Sequence, residues 1–389
     1  MDPKDAYVGR EQTLVKHQVL RTYLSRFAPI VLSRWSSITY VDCFSGPWNA
    51  NTADLSDTSF AIALDELRKA RDVQQVKGRN IQLRCFFLEK DREAYAKLEA
   101  FATAASDAVI ETRNAALEDS IHAILDFVRR GGNETFPFIF IDPTGWTGFA
   151  MDTIAPLLRL APGEVLVNLM TKDVRRFIES PEELTQASFE KLFGRPGVKD
   201  RVAGRQGLDR DDVVVGEYSR SVRETGAFKY VCSAVVLHPE QARTHFHLVY
   251  ATRHRKGVEV FKDAEKKAMT AQESARAAAQ ERRHRDSTGM AYLFGREEMH
   301  SPAYYEELRR HYIDQSRGIV QQALEAQGRV AYDDLWDAAM AQPLTWESDL
   351  KEWIRQWTEE APVSHENWAP GQRVPRLDAG NILVWRKAR

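Results

Sequence analysis

The chain has 389 residues, 43% of them hydrophobic and 28% charged, with a formal net charge of −2. That length accommodates one large domain with a small one, or two of middle size. The near-neutral charge confines any anion-binding surface to local patches. The opening MDPKDAYVGREQTLVKHQ has no apolar stretch, and no later window holds eighteen uninterrupted apolar residues, so a soluble, cytoplasmic protein without a membrane partner is expected.

Residues 13–33 carry Leu14, Leu20, Leu24, Phe27 and Val31 at close to helical spacing, which predicts an N-terminal helix. SSITYVDCF follows as a short apolar strand, then SFAIALDELRKARDV as an amphipathic helix. QLRCFFLEKD is a second strand ended by acids, REAYAKLEAFATAA a helix and AVIETRN a weaker strand. SIHAILDFVRRGG is a helix closed by glycines, as C-caps favour. FPFIFIDPTGW is the most strongly apolar strand, followed by the helix MDTIAPLLRLAP and the strand GEVLVNLM. Strands alternating with helices at this spacing call for a parallel sheet covered on both faces.

The alternation then breaks at a polar insertion, residues 171–226, expected to be helical in part. Two strands follow, KYVCSAVVL and THFHLVYATRH, joined too closely for a parallel crossover. The expected fold is therefore α/β: a Rossmann-like, mostly parallel sheet that ends in an antiparallel hairpin. The Ala- and charge-rich KDAEKKAMTAQESARAAAQERRHRD reads as a solvated helix or helical linker, residues 271–300. Residues 301–389 carry three helical patterns and a terminal strand, NILVW, which predicts a small winged helix-turn-helix-like domain behind a core of residues 1–270.

In open α/β sheets ligands bind beyond the carboxyl ends of the strands. Asp42 ends the first strand, Glu89 the second, and Asp142-Pro143 the fourth. Each type also has an ordinary use, in a turn or as a helix cap. An acid at the second strand end can accept hydrogen bonds from both hydroxyls of a ribose, and FFLEKD puts Glu89 there. The first turn, YVDCFSGPW, has Gly46 but no GxGxxG run, so it lacks the close backbone approach a pyrophosphate needs. S-adenosylmethionine has no phosphate, and its cationic amino-acid end suits Asp42. Phe44 and Gly46 complete this cofactor turn. Asn114, after the third strand, can either read the adenine edge or cap the next helix.

IFIDPTGW is the candidate chemical centre. Asp142 and Pro143 stand where amino-methyltransferases acting on nucleic-acid bases place an acidic or amide residue and a proline. Trp146 is a displaced aromatic, with Thr144-Gly145 between. The stretches KDVRRF, KLFGRPGVKDRVAGR and TRHRKGVEVFKDAEKK are basic and serve either phosphate binding or solvation of a helix face. In the last segment acids slightly outnumber bases, which points to a protein partner, or to a few placed arginines such as Arg373 and Arg376. The three cysteines, Cys43, Cys85 and Cys232, form no CxxC pair. Buried reduced thiols are expected, and no metal site.

Together YVDCFSGPW, FFLEKD, FIFIDPTGW, EVLVNLM, FHLVYATRHRKGVEVFKDA and the leading KHQVLRTYLSRF resemble the three-Cys-motif partner protein family, over roughly residues 16–269. The resemblance implies a class I S-adenosylmethionine-dependent methyltransferase fold, a bacterial or phage-associated setting, and a radical-SAM-like partner that carries the three cysteines of the family's name. The expectation is a methyltransferase acting on nucleic acid or a modified nucleoside. Two alternatives remain: a non-catalytic adaptor with the same fold, and a nuclease or repair factor that binds a cation through Asp42, Glu89 and Asp142.

Overall fold

The computed structural model describes residues 5–47, 50–288, 302–360 and 363–386; Trp48 and residues 289–300 of the expected linker lie outside them. The chain divides into two compact units: residues 1–231 with 235–300, and residues 301–389 with Cys232–Ala234.

The larger sheet has seven strands: β1 (Ser37–Asp42), β2 (Gln82–Glu89), β3 (Val109–Asn114), β4 (Thr135–Ile141), β5 (Glu164–Leu169), β6 (Tyr230–Leu237) and β7 (Thr244–Thr252). Their order is β3-β2-β1-β4-β5-β7-β6. β1 pairs in parallel with β2 and β4, β2 with β3, and β4 with β5. β7 runs antiparallel to β5, with Asn168 opposite Leu248. This is the Rossmann-like sheet expected, with its strand order reversing between β1 and β4. A sheet of this kind opens its binding crevice at such a reversal, beyond the carboxyl ends of the strands.

The apolar strands alternate between two packed layers. Val41, Phe86, Leu88, Ile139, Ile141, Val165 and Val167 share one core with residues of α4 (Ile121–Arg130), α5 (Met151–Leu158) and α9 (Gly207–Gly226). On the opposite face α1 (Glu11–Leu32) lays Tyr23 and Phe27 on Phe138, with centroids 5.5 and 5.6 Å away. Each fully buried aromatic of this kind contributes about 1.5–3 kcal/mol. α2 (Ser59–Val76) and α3 (Arg92–Ala104) complete the βα units, and Asp91 caps α3 by accepting from the amides of Glu93 and Ala94 at 3.0 and 2.9 Å. The insertion after β5 is helical: α6 (Thr171–Phe177), α7 (Glu183–Phe193), α8 (Val198–Val202) and α9.

α10 (Arg255–Thr288) runs unbroken across residue 270. Its middle is not solvated all round: Gln272, Ala275, Arg276 and Ala279 are buried. Arg26 of α1 reaches Asp263 at 2.6 Å, and Arg282 pairs with Glu11. Alanines hide this face in the sequence, because they mark a close helix contact without looking hydrophobic. Cys43, Cys85 and Cys232 are buried and in no disulfide, and burial pushes the Cys85 thiol up to about 12.

The second unit contains α11 (Ala303–Gln327), β8 (Arg329–Ala331), α12 (Tyr332–Met340), α13 (Glu347–Glu359), β9 (Val363–Glu366) and β10 (Ile382–Trp385). β10 lies between β8 and β9 and is antiparallel to both. Trp336, Leu350, Trp353, Ile354 and Trp357 are buried. Asp349 caps α13 by accepting from the Trp346 amide at 2.9 Å.

Candidate functional site

The carboxyl ends of β1, β2, β4 and β5 and the first residues of β7 border one cavity of about 720 Å³. Phe44, Gly46 and Pro47 line it from the β1 turn, Glu89 and Lys90 from β2, Asp142 to Gly145 from β4, and Asn168 and Met170 from β5. The sheet order thus brings three of the predicted strand ends into one concavity.

Asp42 holds the turn from below rather than facing the cavity. It is fully buried, with one oxygen accepting from the Phe44 amide at 3.2 Å and the other from the Ser59 hydroxyl at 2.6 Å and the Tyr40 hydroxyl at 3.4 Å. Ser45 donates to the Asp42 carbonyl at 2.8 Å and its amide to the Leu88 carbonyl at 2.8 Å, locking the turn to β2. Burial pushes the Asp42 carboxyl up to about 6; the Ser59 and Phe44 hydrogen bonds oppose this, and the charge of Asp142 adds to it.

Glu89 does line the cavity although it is only 3% exposed. Its Oε1 accepts from the Asp91 amide at 2.7 Å, which fixes the carboxylate at the mouth of the β2 turn. The helix cap that an acid after a strand often supplies is here Asp91, so Glu89 is not spent on it. Asn114 neither caps a helix nor lines the cavity; α4 starts at Ser120-Ile121. Its amide donates to the carbonyls of Glu89 and Lys90 at 2.8 and 3.1 Å, tying the end of β3 to the backbone that carries Glu89.

Asp142 lies at the centre, next to the now evident Lys16 and Asn168. Lys16 of α1 pairs with Asp142 Oδ2, and the Asn168 amide donates to Oδ1 at 2.8 Å. The other end of the Asn168 side chain, Oδ1, is buried at the cavity wall without a hydrogen-bond partner, although buried acceptors are seldom left unpaired. Lys16 left no signal, being one polar residue among several on an amphipathic helix. Asn168 did leave one, as the single amide inside the apolar run EVLVNLM.

Trp146 points elsewhere. Its ring stacks on Phe189 of α7 at 5.5 Å, lies 4.9 Å from Phe177 of α6, and its Nε1 donates to Ser188 at 3.0 Å. It does not line the cavity, whereas Pro143, Thr144 and Gly145 of the same turn do. The Thr-Gly pair lengthens the turn and carries the indole into the inserted helices. Among the described residues, Asp42, Glu89 and Asp142 are not brought within a common metal-ligand distance, so the cation-binding alternative gains no support.

No family model matches the chain, and no curated protein matches it. Three solved structures are similar to the chain at low identity. A Legionella pneumophila Philadelphia 1 protein of the DUF519 family is 12% identical, with a TM-score of 0.40 over 66% of this chain and 92% of its own. A candidate methyltransferase from Thermobifida fusca YX is 12% identical, with a TM-score of 0.30 over 62% and 82%. A loganic acid methyltransferase holding S-adenosylhomocysteine is 10% identical, with a TM-score of 0.32 over 73% and 92%. At such scores these likenesses carry no argument about what this chain binds or transforms.

Proposed function

We propose that the chain is an S-adenosylmethionine-dependent methyltransferase that acts on an amine of a nucleic acid or modified nucleoside. The observation that carries this reading is the orphaned Asn168 Oδ1 beside Asp142, in the same cavity as Glu89. The donor set fits the cofactor. Glu89 would take the ribose hydroxyls, Phe44 and Gly46 would flank the nucleoside, and Asp42 would act on the amino-acid end through the turn it holds. When bound, S-adenosylmethionine supplies an electrophilic methyl group. Asp142 and Asn168 then accept from the substrate amine and point its lone pair toward that group, and Pro143 shapes the wall beside it. Rate acceleration comes from proximity and alignment more than from a strong base.

The second unit supports a winged helix-turn-helix reading, since three helices accompany a small antiparallel sheet formed by β8, after the first helix, and the closing β9 and β10. Arg373 and Arg376, exposed in the β9–β10 connection, are its candidate contacts for nucleic acid or protein. Membership of the three-Cys-motif partner family, and with it a radical-SAM-like partner, belongs to the same proposal and rests on the motifs.

A second reading, a non-catalytic adaptor, draws on two observations: Lys16 already occupies one oxygen of Asp142, and Trp146 is turned away from the cavity. Tritiated methyl transfer to DNA, RNA and nucleosides, with and without the three-cysteine partner, separates the two. The enzyme reading expects incorporation that falls by about two to three orders of magnitude in Asp142→Ala, as for the loss of one positioned electrostatic contact. Incorporation that persists in that variant removes Asp142 from the chemistry. No incorporation by the wild type on any of these substrates moves the choice to the adaptor.

A further inference from the structure

Beyond Asn168 the cavity changes character. Lys172, in the first turn of α6, and His245, near the start of β7, line its far end. The two are fixed against each other, because Thr171 bonds the His247 Nδ1 at 3.2 Å and so docks α6 on β7. The other basic residues of the cavity wall that carry counter-charges are Arg10, paired with Asp57, and Lys16, paired with Asp142. Among the described residues no acid pairs with Lys172, nor with Lys90 at the β2 end of the same wall, and of the two only Lys172 stands with His245 at the far end. His245 Nδ1 is buried without a hydrogen-bond partner.

Arg243 adds positive charge beside Lys172, with little to balance it, while burial lowers the His238 and His245 imidazoles and keeps both rings neutral. The His238 ring meets that of His245 edge-on at 5.5 Å, and Arg243 leaves its Nε buried and unpartnered. The nearby acids are drawn elsewhere or lie off the cavity wall: Glu240 reaches Arg283 at 3.3 Å, and Asp173 does not line the cavity. Burial, followed by the charges of Lys172, His238, Arg243 and Lys16, pushes the His245 imidazole down to about 3. A half-buried lysine and an orphaned ring nitrogen in an uncompensated positive corner is what an anion would complete.

Strand order sets the reach. β4, which presents Asp142, and β7, which presents His245, are two positions apart in the sheet, roughly 10 Å. That matches the extent of a nucleotide from the amine on its base to its phosphate.

We propose that Lys172 and His245 form a phosphate subsite that holds the substrate nucleotide while its base amine meets Asp142 and Asn168. The proposal rests on the methyltransferase reading above for the direction in which the substrate lies. It places the substrate among phosphorylated nucleotides, free or within a strand, rather than free nucleosides.

The test is calorimetry on the full chain with S-adenosylhomocysteine present. The probes are inorganic phosphate, the 5′-monophosphates of adenosine, cytidine and guanosine, and the three nucleosides. At least one monophosphate is expected to bind tenfold or more tightly than its nucleoside. Lys172→Met should remove that gain and leave nucleoside binding unchanged, Lys172→Arg should retain most of it, and Lys97→Met, on the exposed face of α3, should not alter it. A gain equal in wild type and Lys172→Met overturns the subsite, as does binding of no monophosphate. Binding of inorganic phosphate alone, with no gain for any monophosphate, also overturns it as a nucleotide site. A Lys172-dependent gain in a chain that fails to bind S-adenosylhomocysteine would uphold the subsite and remove the methyltransferase reading. Cofactor binding without that gain would remove only the subsite.

Discussion

Replacing Lys16 with methionine removes the cation that faces Asp142 while keeping most of the stem's packing. The two side chains are 13% and 11% exposed, so water screens the pair weakly. Their gross attraction is about 4 kcal/mol at an effective dielectric of about 20. Desolvation of both charges offsets most of that, and the Asn168 amide continues to hold the other oxygen of Asp142. A pair this deep, but not fully enclosed, should couple by about 1–3 kcal/mol, between the values for surface and buried pairs. Urea unfolding of wild type, Lys16→Met, Asp142→Asn and the double variant at neutral pH measures the coupling. Each single change is expected to destabilise, and the double variant to be little worse than either alone. Additivity within about 0.5 kcal/mol would show that the two residues do not act as a pair, and would refute the reasoning.

Further outcomes follow from other parts of the site. Glu89→Gln keeps the shape but loses a charged acceptor, so S-adenosylmethionine affinity should fall by about ten- to a hundredfold per hydrogen bond lost, with unchanged unfolding; equal affinity in a folded variant would take Glu89 out of the site. The Asp42 carboxyl titrates at about 6 in the folded chain, above the usual value for an aspartate, so folding favours its protonated form and its ionisation costs stability as pH rises from about 4 to about 6. Compared with wild type, Asp42→Asn should therefore lose up to about 3 kcal/mol less stability across that interval, and an identical pH slope in unfolding experiments would contradict the buried assignment. Trp146→Phe should cost about 1 kcal/mol through the lost bond to Ser188 and leave methyl transfer intact; a tenfold fall in turnover with cofactor affinity preserved would place the indole on the substrate after all.

The sheet was legible because its central strands are buried on both faces and read as apolar runs, while the edge strand β3, VIETRN, is largely exposed and gave a weaker signal. The closing hairpin was legible from the shortness of the stretch between KYVCSAVVL and THFHLVYATRH, which rules out a crossover. Strand-end position also singled out Glu89 and Asp142, both of which border the cavity. What surrounds them depends on distant packing that no local pattern encodes. Lys16 meets Asp142 across 126 positions of chain, because α1 packs over the sheet. The Trp146 ring packs on Phe177 and Phe189, which lie in helices whose placement the insertion's polar composition does not reveal. The Asn114 amide bonds the carbonyls at the end of β2, a sheet-edge contact that requires the strand pairing to be known. Asn168 could have been found, since an amide in a strand buried on both faces requires a partner, and its neighbours in sequence offer only the weakly accepting Met170 sulfur.

The account turns on whether the cavity beyond β1, β2 and β4 receives a sulfonium nucleoside. Calorimetric titration of the full chain with S-adenosylmethionine, S-adenosylhomocysteine and NAD tests this directly. Binding of the first two with one site per chain and roughly micromolar Kd, and no heat from NAD, is the predicted result. Binding of NAD, or of none of the three, would contradict it.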